Sequence, residues 1–455
     1  CNMNYSDTER MESYLIALGF KKEESPEKAT AIIFNTCSIK QKAEDKVYGK
    51  MIGIRRIKQE RSNLTVIITG CMVRKSSSRY SSERDKLFSH IQDLDIAIRI
   101  EELPKLAGLM REINPNHSLK EIEEESLEDY FKIKASHGSH QSKSQAFIAI
   151  SNGCDKFCTY CIVPYSRGRE KSRHPDDIFK EVEELVENGC KEITLIGQTV
   201  NSYGLGLYDR QNKMFSFLEK NSEPTNNKEP FVYLLERLDG LSKKGLQRVR
   251  FTSPHPKDMT DQLIEAMSRL KTQMPYIHLP LQSGDNNVLK RMNRSYTIEQ
   301  YKSIIKKLRK KNPDISISTD IIIGFCGETD EEFKNTCKVF EELKFEHAYL
   351  SQYSDRRGTV ANRFMKDDIK KELKAKRWFE INEILKKTAM DANKRFIGRT
   401  VDVLVESQNK TICLGRDEHF KEIKFKSGRK ILGKIVPVKI TGIKNITLSG
   451  EKIGP

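Results

Sequence analysis

The stretch Ser151-Asn-Gly-Cys154-Asp-Lys-Phe-Cys158-Thr-Tyr-Cys161 carries the most information in this chain. It follows a strand-length apolar run, residues 146–151, and sets three cysteines within eight residues at C-x3-C-x2-C spacing. Three thiolates so spaced can ligate three irons of a 4Fe–4S cluster and leave the fourth iron without a protein ligand. Catalytic metal sites stay one ligand short in the same way, to admit a small molecule. Zinc is the rival occupant, a distant His completing its tetrahedron. The loop's place just past the first strand of a repeating strand–helix series favours the cluster.

Outward from this loop, strand signals recur at 146–151, 192–196, 248–252, 276–279, 316–323 and 346–351, with amphipathic helices such as 176–187 and 298–310 between them. Six such units predict an α/β partial barrel whose active site faces the carboxyl ends of the strands. Residues 204–230, rich in Asn, Glu and Lys, read as an inserted surface loop. Upstream, Ser6-Asp-Thr-Glu9 predicts a capping box opening a helix, with Met11, Tyr14, Leu15 and Leu18 as its apolar stripe and Gly19 as its stop. A strand at 31–34, a basic helix at 41–61 and a strand at 64–69 give a βαβ rhythm, hence a small parallel sheet. Residues 112–145, with the acidic Glu121-Ile-Glu-Glu-Glu125, read as a connection. Beyond a charged helical stretch at 366–394, short strands at 400–405, 411–414, 421–426, 435–441 and 445–448 predict a small all-β module.

Charge points to a polyanion. The 455 residues hold 80 Lys and Arg against 64 Asp and Glu, a net of +16. The last module, residues 391–455, carries 14 Lys and Arg against 7 Asp and Glu. Such an excess favours nucleic acid through phosphate neutralisation; a solvated basic surface is the bland alternative. No apolar run approaches the ~18 residues that cross a bilayer, so no membrane partner is expected and the protein is placed in the cytoplasm. The chain opens at Cys1 rather than Met, so residues before Cys1 are expected and the lack of a visible targeting segment weighs little.

Ten cysteines without a secretory signal argue for metal or redox chemistry rather than a disulfide scaffold. Cys37 follows the strand at 31–34, Cys71 follows the strand at 64–69, and Cys1 would follow another if one precedes it. Ligands collect outside the carboxyl ends of parallel strands. Three cysteines at equivalent ends favour a second cluster over buried structural thiols. Cys190, Cys326, Cys337 and Cys413 have no partners at ligand spacing and read as structural.

Cys1-Asn-Met-Asn4, Asn35-Thr-Cys-Ser-Ile39, Gly70-Cys-Met72, Cys158-Thr-Tyr-Cys-Ile-Val-Pro-Tyr-Ser-Arg-Gly-Arg-Glu170, Gly197-Gln-Thr-Val-Asn-Ser-Tyr203 and Phe251-Thr-Ser-Pro-His-Pro256 together resemble the radical S-adenosylmethionine (SAM) methylthiotransferases, in the branch that acts on isopentenylated adenosine of tRNA. His278-Leu-Pro-Leu-Gln-Ser-Gly284 and Tyr353-Ser-Asp-Arg-Arg-Gly-Thr359 are shared more widely. The resemblance covers nearly the whole chain. It departs at 204–230, at 98–102, where a family Gly-Thr is not evident, and at Cys326, where the family has Pro.

The resemblance implies a flavodoxin-like N-terminal domain (1–125), a partial (βα)6 radical SAM barrel (140–380) and a TRAM/OB-like RNA-binding barrel (391–455). It implies two 4Fe–4S clusters, one on Cys154, Cys158 and Cys161 and one on Cys1, Cys37 and Cys71. Tyr160, Gly197, Gln198, His278, Gln282, Asp320 and Gly324 would bind SAM. One SAM would methylate a sulfur carried on the second cluster, and another would yield the radical needed at the unactivated C2–H of adenine. The implied partners are a tRNA anticodon stem-loop and an electron donor such as flavodoxin or ferredoxin; a sulfur donor is left unnamed, and a monomer is expected. Arg167 and Arg169 are candidates for SAM carboxylate or RNA phosphate, and His255, like His278, reads as site-lining. Two alternatives stay open: the same chemistry on threonylcarbamoyladenosine in tRNA, and a non-catalytic zinc and RNA-binding protein.

Overall fold

The computed structural model describes residues 2–38, 41–61, 63–115, 119–120, 130–138, 142–205, 208–209, 214–215 and 228–454. The chain forms two compact units. The first comprises Cys1–Ser139, Asn152–Lys171 and Arg356–Arg363; the second comprises His140–Ser151, Ser172–Asp355 and Phe364–Pro455. Cys1, Ile39 and the acidic run at 121–125 lie outside the described residues, as does most of 204–230.

The first unit is built on the strand Thr65–Gly70, buried along its whole length. Its sequence, Thr-Val-Ile-Ile-Thr-Gly, suits a strand covered on both faces. It pairs in parallel with Ala31–Thr36 and Ile96–Ile98, and Ser77–Ser78 adds an antiparallel edge. Because side chains alternate across a strand, Ile67 packs with Met11 and Tyr14 of the helix Asn2–Ala17 and with Leu18 just past its end. Val66 and Ile68 pack on the other face with Val47, Met51 and Ile54 of the helix Gln41–Glu60. The expected βαβ rhythm is present.

Two expectations fail in this unit. The first helix starts at Asn2, so Ser6 is no N-cap; Ser6, Asp7 and Arg10 are all buried in mid-helix. A polar run that looks like a cap is instead the helix face turned inward. Its stop at Gly19 does hold, with φ +97° and Phe20 N–H donating to the Leu15 carbonyl at 2.9 Å. The stretch 112–145 is not mere connection either, since Tyr130 and Ile133 sit in the core beside Tyr14 and Leu18.

In the second unit the six expected strands appear as two parallel three-stranded sheets. One has the order Arg248–Phe251, Glu192–Ile196, Gln145–Ala149; the other runs Tyr276–His278, Ser316–Ile323, His347–Gln352. An isolated parallel bridge joins Val249 to Gln273. The intervening helices are amphipathic: in Pro175–Glu187 the buried Ile178, Val182 and Val186 fall four apart, on one face. Within 204–230, Tyr208–Asp209 and Met214–Phe215 pair antiparallel. Among the described residues no helix is long and apolar enough to cross a membrane.

The tail closes into a five-stranded barrel in the order Thr400–Asn409, Ile412–Arg416, Glu422–Lys426, Thr447–Lys452, Ile435–Lys444. It joins the amino ends of the parallel strands through buried charges. Arg248 donates to the carbonyls of Arg416 (3.0 Å) and Asp402 (2.6 Å), and Arg250 to those of Glu418 (3.1 Å) and Asp417 (2.6 Å). Arg250 also pairs with the buried Glu192 at 3.0 Å. Burial pushes the Glu192 carboxyl up, but Arg250 and Arg248 outweigh it and leave the carboxyl below its ordinary value. A carboxyl depressed by folding stabilises the protein above its unfolded pKa, and that stability is lost as pH falls through the folded value. Arg250→Ala is therefore expected to cost about 3–5 kcal/mol by denaturant unfolding near neutral pH, with the difference from the parent shrinking as the solution is acidified.

Candidate active site

The cysteine loop belongs to the first unit. Cys154 and Cys158 are buried, and Cys161 and Tyr160 are partly exposed. Gly153 makes the entry turn at φ +81°, where a Cβ would lie 2.1 Å from the Arg169 carbonyl oxygen, so only glycine fits. Cys154 N–H donates to the Gly168 carbonyl at 3.2 Å, and Cys161 N–H to that of Cys158 at 2.9 Å. Phe157, between the first two cysteines, holds φ +49°, a strained conformation for a bulky residue and of the kind found at functional sites.

The other cysteines come from neighbouring strand ends. Thr36 and Gly70 are register partners, so Cys37 and Cys71 leave the sheet side by side. Cys71 N–H donates to the Thr36 carbonyl at 2.9 Å, and the Thr36 hydroxyl to the Thr69 carbonyl at 2.6 Å. Gly70 permits this close approach: its φ is +86°, and a Cβ would lie 2.3 Å from the Thr36 oxygen. Gly70→Ala is expected to destabilise by on the order of 2 kcal/mol or more, seen as a lowered urea midpoint, and to displace Cys71.

The two sets meet within this unit. Burial raises the Cys161 thiol, and the charges of Cys158, Cys154 and Cys71 raise it further. Cys71 also acts on Arg167. Among the described residues no three His, Cys, Asp or Glu side chains converge as a single metal ion requires. An iron–sulfur cluster asks less, because each cysteine binds an iron of its own. A thiol-only donor set, with Cys154 and Cys158 buried and Cys161 partly exposed on a glycine-hinged loop, fits such a cluster.

In the second unit, Gly197 and Gln198 follow the strand Glu192–Ile196. A Cβ on Gly197 would lie 2.5 Å from Ser151 Oγ. Gln198 Oε1 and Ser151 Oγ are both buried without a hydrogen-bond partner, and a buried polar atom left so asks for a ligand or an ordered water. On the next sheet, His278 Nε2 lies 3.2 Å from Asp320 Oδ2, and His278 Nδ1 lies 2.8 Å from Ser318 Oγ, which in turn is 2.7 Å from the Tyr276 hydroxyl. Gln282 N–H donates to the Asp320 carbonyl at 2.8 Å from a left-handed backbone, φ +72°. Gly324, also left-handed at φ +69°, donates its N–H to Glu328 Oε2 at 2.9 Å. Thus His278, Gln282 and Asp320 are brought together, as are Gly197 and Gln198.

Known proteins match the sequence along the chain. The family model described as the radical SAM superfamily covers residues 148–340, and one described as uncharacterized protein family UPF0004 covers residues 1–91. A relative from Geobacillus kaustophilus (strain HTA426), named tRNA-2-methylthio-N(6)-dimethylallyladenosine synthase, is 36% identical over 100% of this chain and 81% of its own length. One of the same name from Clostridium novyi (strain NT) is 36% identical over 100% of this chain and 95% of its own. The chain belongs to the radical SAM methylthiotransferase family. The solved radical SAM methyltransferase TsrM from Kitasatospora setae gives a TM-score of 0.48 at 13% identity, over 70% of this chain and 61% of that one.

Membership in the methylthiotransferases brings iron–sulfur clusters and SAM as cofactors, and several side chains then need reassignment. Arg167 is no surface ligand. Its guanidinium is buried and paired with Asp7 at 2.5 Å, a partner 160 positions away that no local motif marks. Arg169 is exposed and bonds Asp155 at 2.6 Å within the loop. His255 is buried, and its Nδ1 accepts from the Lys257 N–H at 3.2 Å, so it caps a short helix. Cys190, Cys326, Cys337 and Cys413 are all buried. Burial pushes the Cys190 and Cys337 thiols up to about 12, which keeps them protonated and inert.

Proposed function

We propose that this methylthiotransferase transfers a methylthio group to C2 of N6-isopentenyladenosine beside the anticodon of tRNA, using SAM both as methyl donor and as radical source. The observation that carries the reading is the company of cysteines in one unit. Cys154, Cys158 and Cys161 share it with Cys37 and Cys71, and Cys71 is close enough to act on Cys161. The relatives' shared name supplies the substrate.

In this reading Cys154, Cys158 and Cys161 hold one 4Fe–4S cluster, and Cys37 and Cys71 hold a second together with Cys1. In the second unit Gln198 accepts from the SAM amino group through its orphaned Oε1, Gly197 leaves room for the approach, and His278, Gln282, Asp320 and Gly324 are further candidates for SAM contact, as Tyr160 is in the cysteine loop. The clusters and SAM supply the electron, the carbon radical, the sulfur and the methyl group. The chain supplies position and a dry setting, without which a radical is lost to side reactions. C2 lies on the base edge, so the substrate is an unstacked loop nucleotide. In this reading the chain is organised as a flavodoxin-like domain, a partial radical SAM barrel and a TRAM-like barrel. A monomer working in the cytoplasm with a flavodoxin or ferredoxin donor completes the proposal.

The last barrel grips the RNA backbone. Gln408, Lys410, Gly428, Arg429 and Lys430 line a groove of about 320 Å³. Gln408 fixes its shape by donating to the Arg429 carbonyl at 2.9 Å and accepting from Ile431 N–H at 2.9 Å. Replacing Lys410, Arg429 and Lys430 together by Ala is expected to reduce the slope of log K against log salt by about 2, since each single-strand phosphate contact contributes about 0.7; filter binding across a salt series reads it.

The function is tested with two anticodon stem-loops, one isopentenylated and one threonylcarbamoylated, incubated anaerobically with reconstituted protein, SAM, sulfide and reductant. The expected result is a methylthio group on the isopentenyladenosine alone by nucleoside mass spectrometry. Modification of the threonylcarbamoyl substrate alone would reassign the branch. A colourless, zinc-loaded protein that binds both RNAs and modifies neither would overturn the enzyme reading.

A further inference from the structure

A buried polar network ties the loops that carry the cysteines to one another inside the first unit. Its centre is Arg167, six residues past Cys161. The guanidinium donates to Asp7 Oδ2 at 2.5 Å, Asn152 Oδ1 at 3.0 Å, Asn4 Oδ1 at 3.3 Å and Asp7 Oδ1 at 3.5 Å. Asp7 also accepts from the Tyr130 hydroxyl at 2.5 Å. The side chains of Arg167 and Asp7 are 1% and 0% exposed. From the same helix, Asn4 accepts through its carbonyl from the Asn35 amide at 2.8 Å, and Thr8 Oγ1 takes a second bond from that amide at 3.0 Å.

The positions of these residues matter more than their number. Asn4 stands three residues after Cys1, Asn35 two before Cys37, and Asn152 two before Cys154. One guanidinium and one helix therefore reach every segment that bears a proposed cluster ligand except Cys71, and Cys71 is itself bonded to Thr36, next to Asn35. Buried ion pairs are poor sources of stability, because desolvation cancels much of the attraction; their best-attested use is to fix register. A forked guanidinium with four acceptor contacts is suited to that use, since it constrains direction as well as distance.

We propose that Asp7 and Arg167 are a positioning pair that sets the separation of the two cysteine sets, so that radical formation at one is coupled to sulfur transfer from the other. The inference rests on the cluster assignment above. Neither residue touches substrate; each acts through the loops it holds. A shift of about 1 Å between reacting groups can cost about 100-fold in rate. Loss of the pair should therefore uncouple the two half-reactions while leaving SAM cleavage intact.

The test compares reconstituted parent protein with the neutral pair Asp7→Asn/Arg167→Gln, and with Arg167→Lys, which keeps the charge opposite Asp7 but gives up the fork to Asn4 and Asn152. Four quantities are read: melting of the cluster-free protein, 5′-deoxyadenosine formed, methylthio product per 5′-deoxyadenosine, and the magnetic interaction between the two reduced clusters by electron paramagnetic resonance. The expected result is unchanged melting and SAM cleavage, product per 5′-deoxyadenosine lower by about 100-fold, and an altered spin interaction. A parent-like product ratio with an unaltered spin interaction would overturn the proposal. So would a loss of SAM cleavage in step with product, which marks a merely structural role. If the neutral pair fails to fold, Arg167→Lys carries the test by the same criteria. If the parent makes no methylthio product, the proposed substrate fails, and the spin interaction still decides the positioning pair.

Discussion

Cys158→Ala protein, reconstituted with iron and sulfide and supplied with SAM and a strong reductant, forms no 5′-deoxyadenosine above the background of the cluster-free chain. Cys158 is buried in the middle of the C-x3-C-x2-C loop, 8% exposed, with its carbonyl accepting from the Cys161 N–H. Removing its thiol leaves two of three ligands. No spare thiol is at hand in the loop, and Cys190, Cys326, Cys337 and Cys413 belong to the second unit. Loss of mere outer-shell support typically lowers metal-site activity by about 10–100-fold, so loss of a ligand should exceed 100-fold. The purified variant should also be depleted of iron by roughly the share of one cluster, which colorimetric iron analysis checks independently of activity.

Cys37→Ala gives the opposite dissociation. SAM cleavage persists near the parent rate, whereas methylthiolated nucleoside falls by more than about 100-fold on the same reasoning. Cys37 is the better choice of the described second set because Cys71 is coupled to the other loop. Cys71 acts on both Cys161 and Arg167, and its N–H fastens the two strand ends together, so its loss would disturb both reactions. The measurement is paired quantification of 5′-deoxyadenosine and modified nucleoside from one reaction. Retention of methylthiolation by Cys37→Ala would remove the second cluster from the account.

The extent to which the sequence foretold this depends on how local each signal is. Strands Glu192–Ile196 and Ser316–Ile323 were legible to the residue, because both are rich in the β-branched residues that suit a buried strand. The cysteines were legible for a related reason: spacing marks one set, and position after strands marks the other. The parallel register that sets Cys37 beside Cys71 was not legible, since it depends on pairing across 34 residues. Ser6-Asp-Thr-Glu9 misled because an inward-facing polar helix face and a cap share the same residue types. Arg167 misled more sharply. Its partner lies 160 positions away, and nothing local distinguishes an arginine waiting for a ligand from one already buried against a carboxylate. Tyr130 was lost in a polar stretch for the same reason, its hydroxyl partner Asp7 being 123 positions distant.

If one chain couples two SAM-dependent events at two cysteine sets, deuterium in the SAM methyl group must reach the nucleoside. Reconstituted protein is incubated with methyl-deuterated SAM, reductant, sulfide and an isopentenylated anticodon stem-loop, and the nucleosides and 5′-deoxyadenosine are analysed together by mass spectrometry. The expected product is a methylthio-isopentenyladenosine carrying the deuterated methyl, with 5′-deoxyadenosine formed alongside it. Formation of 5′-deoxyadenosine by protein holding its full complement of iron, with no label and no sulfur in the nucleoside, would contradict that coupling.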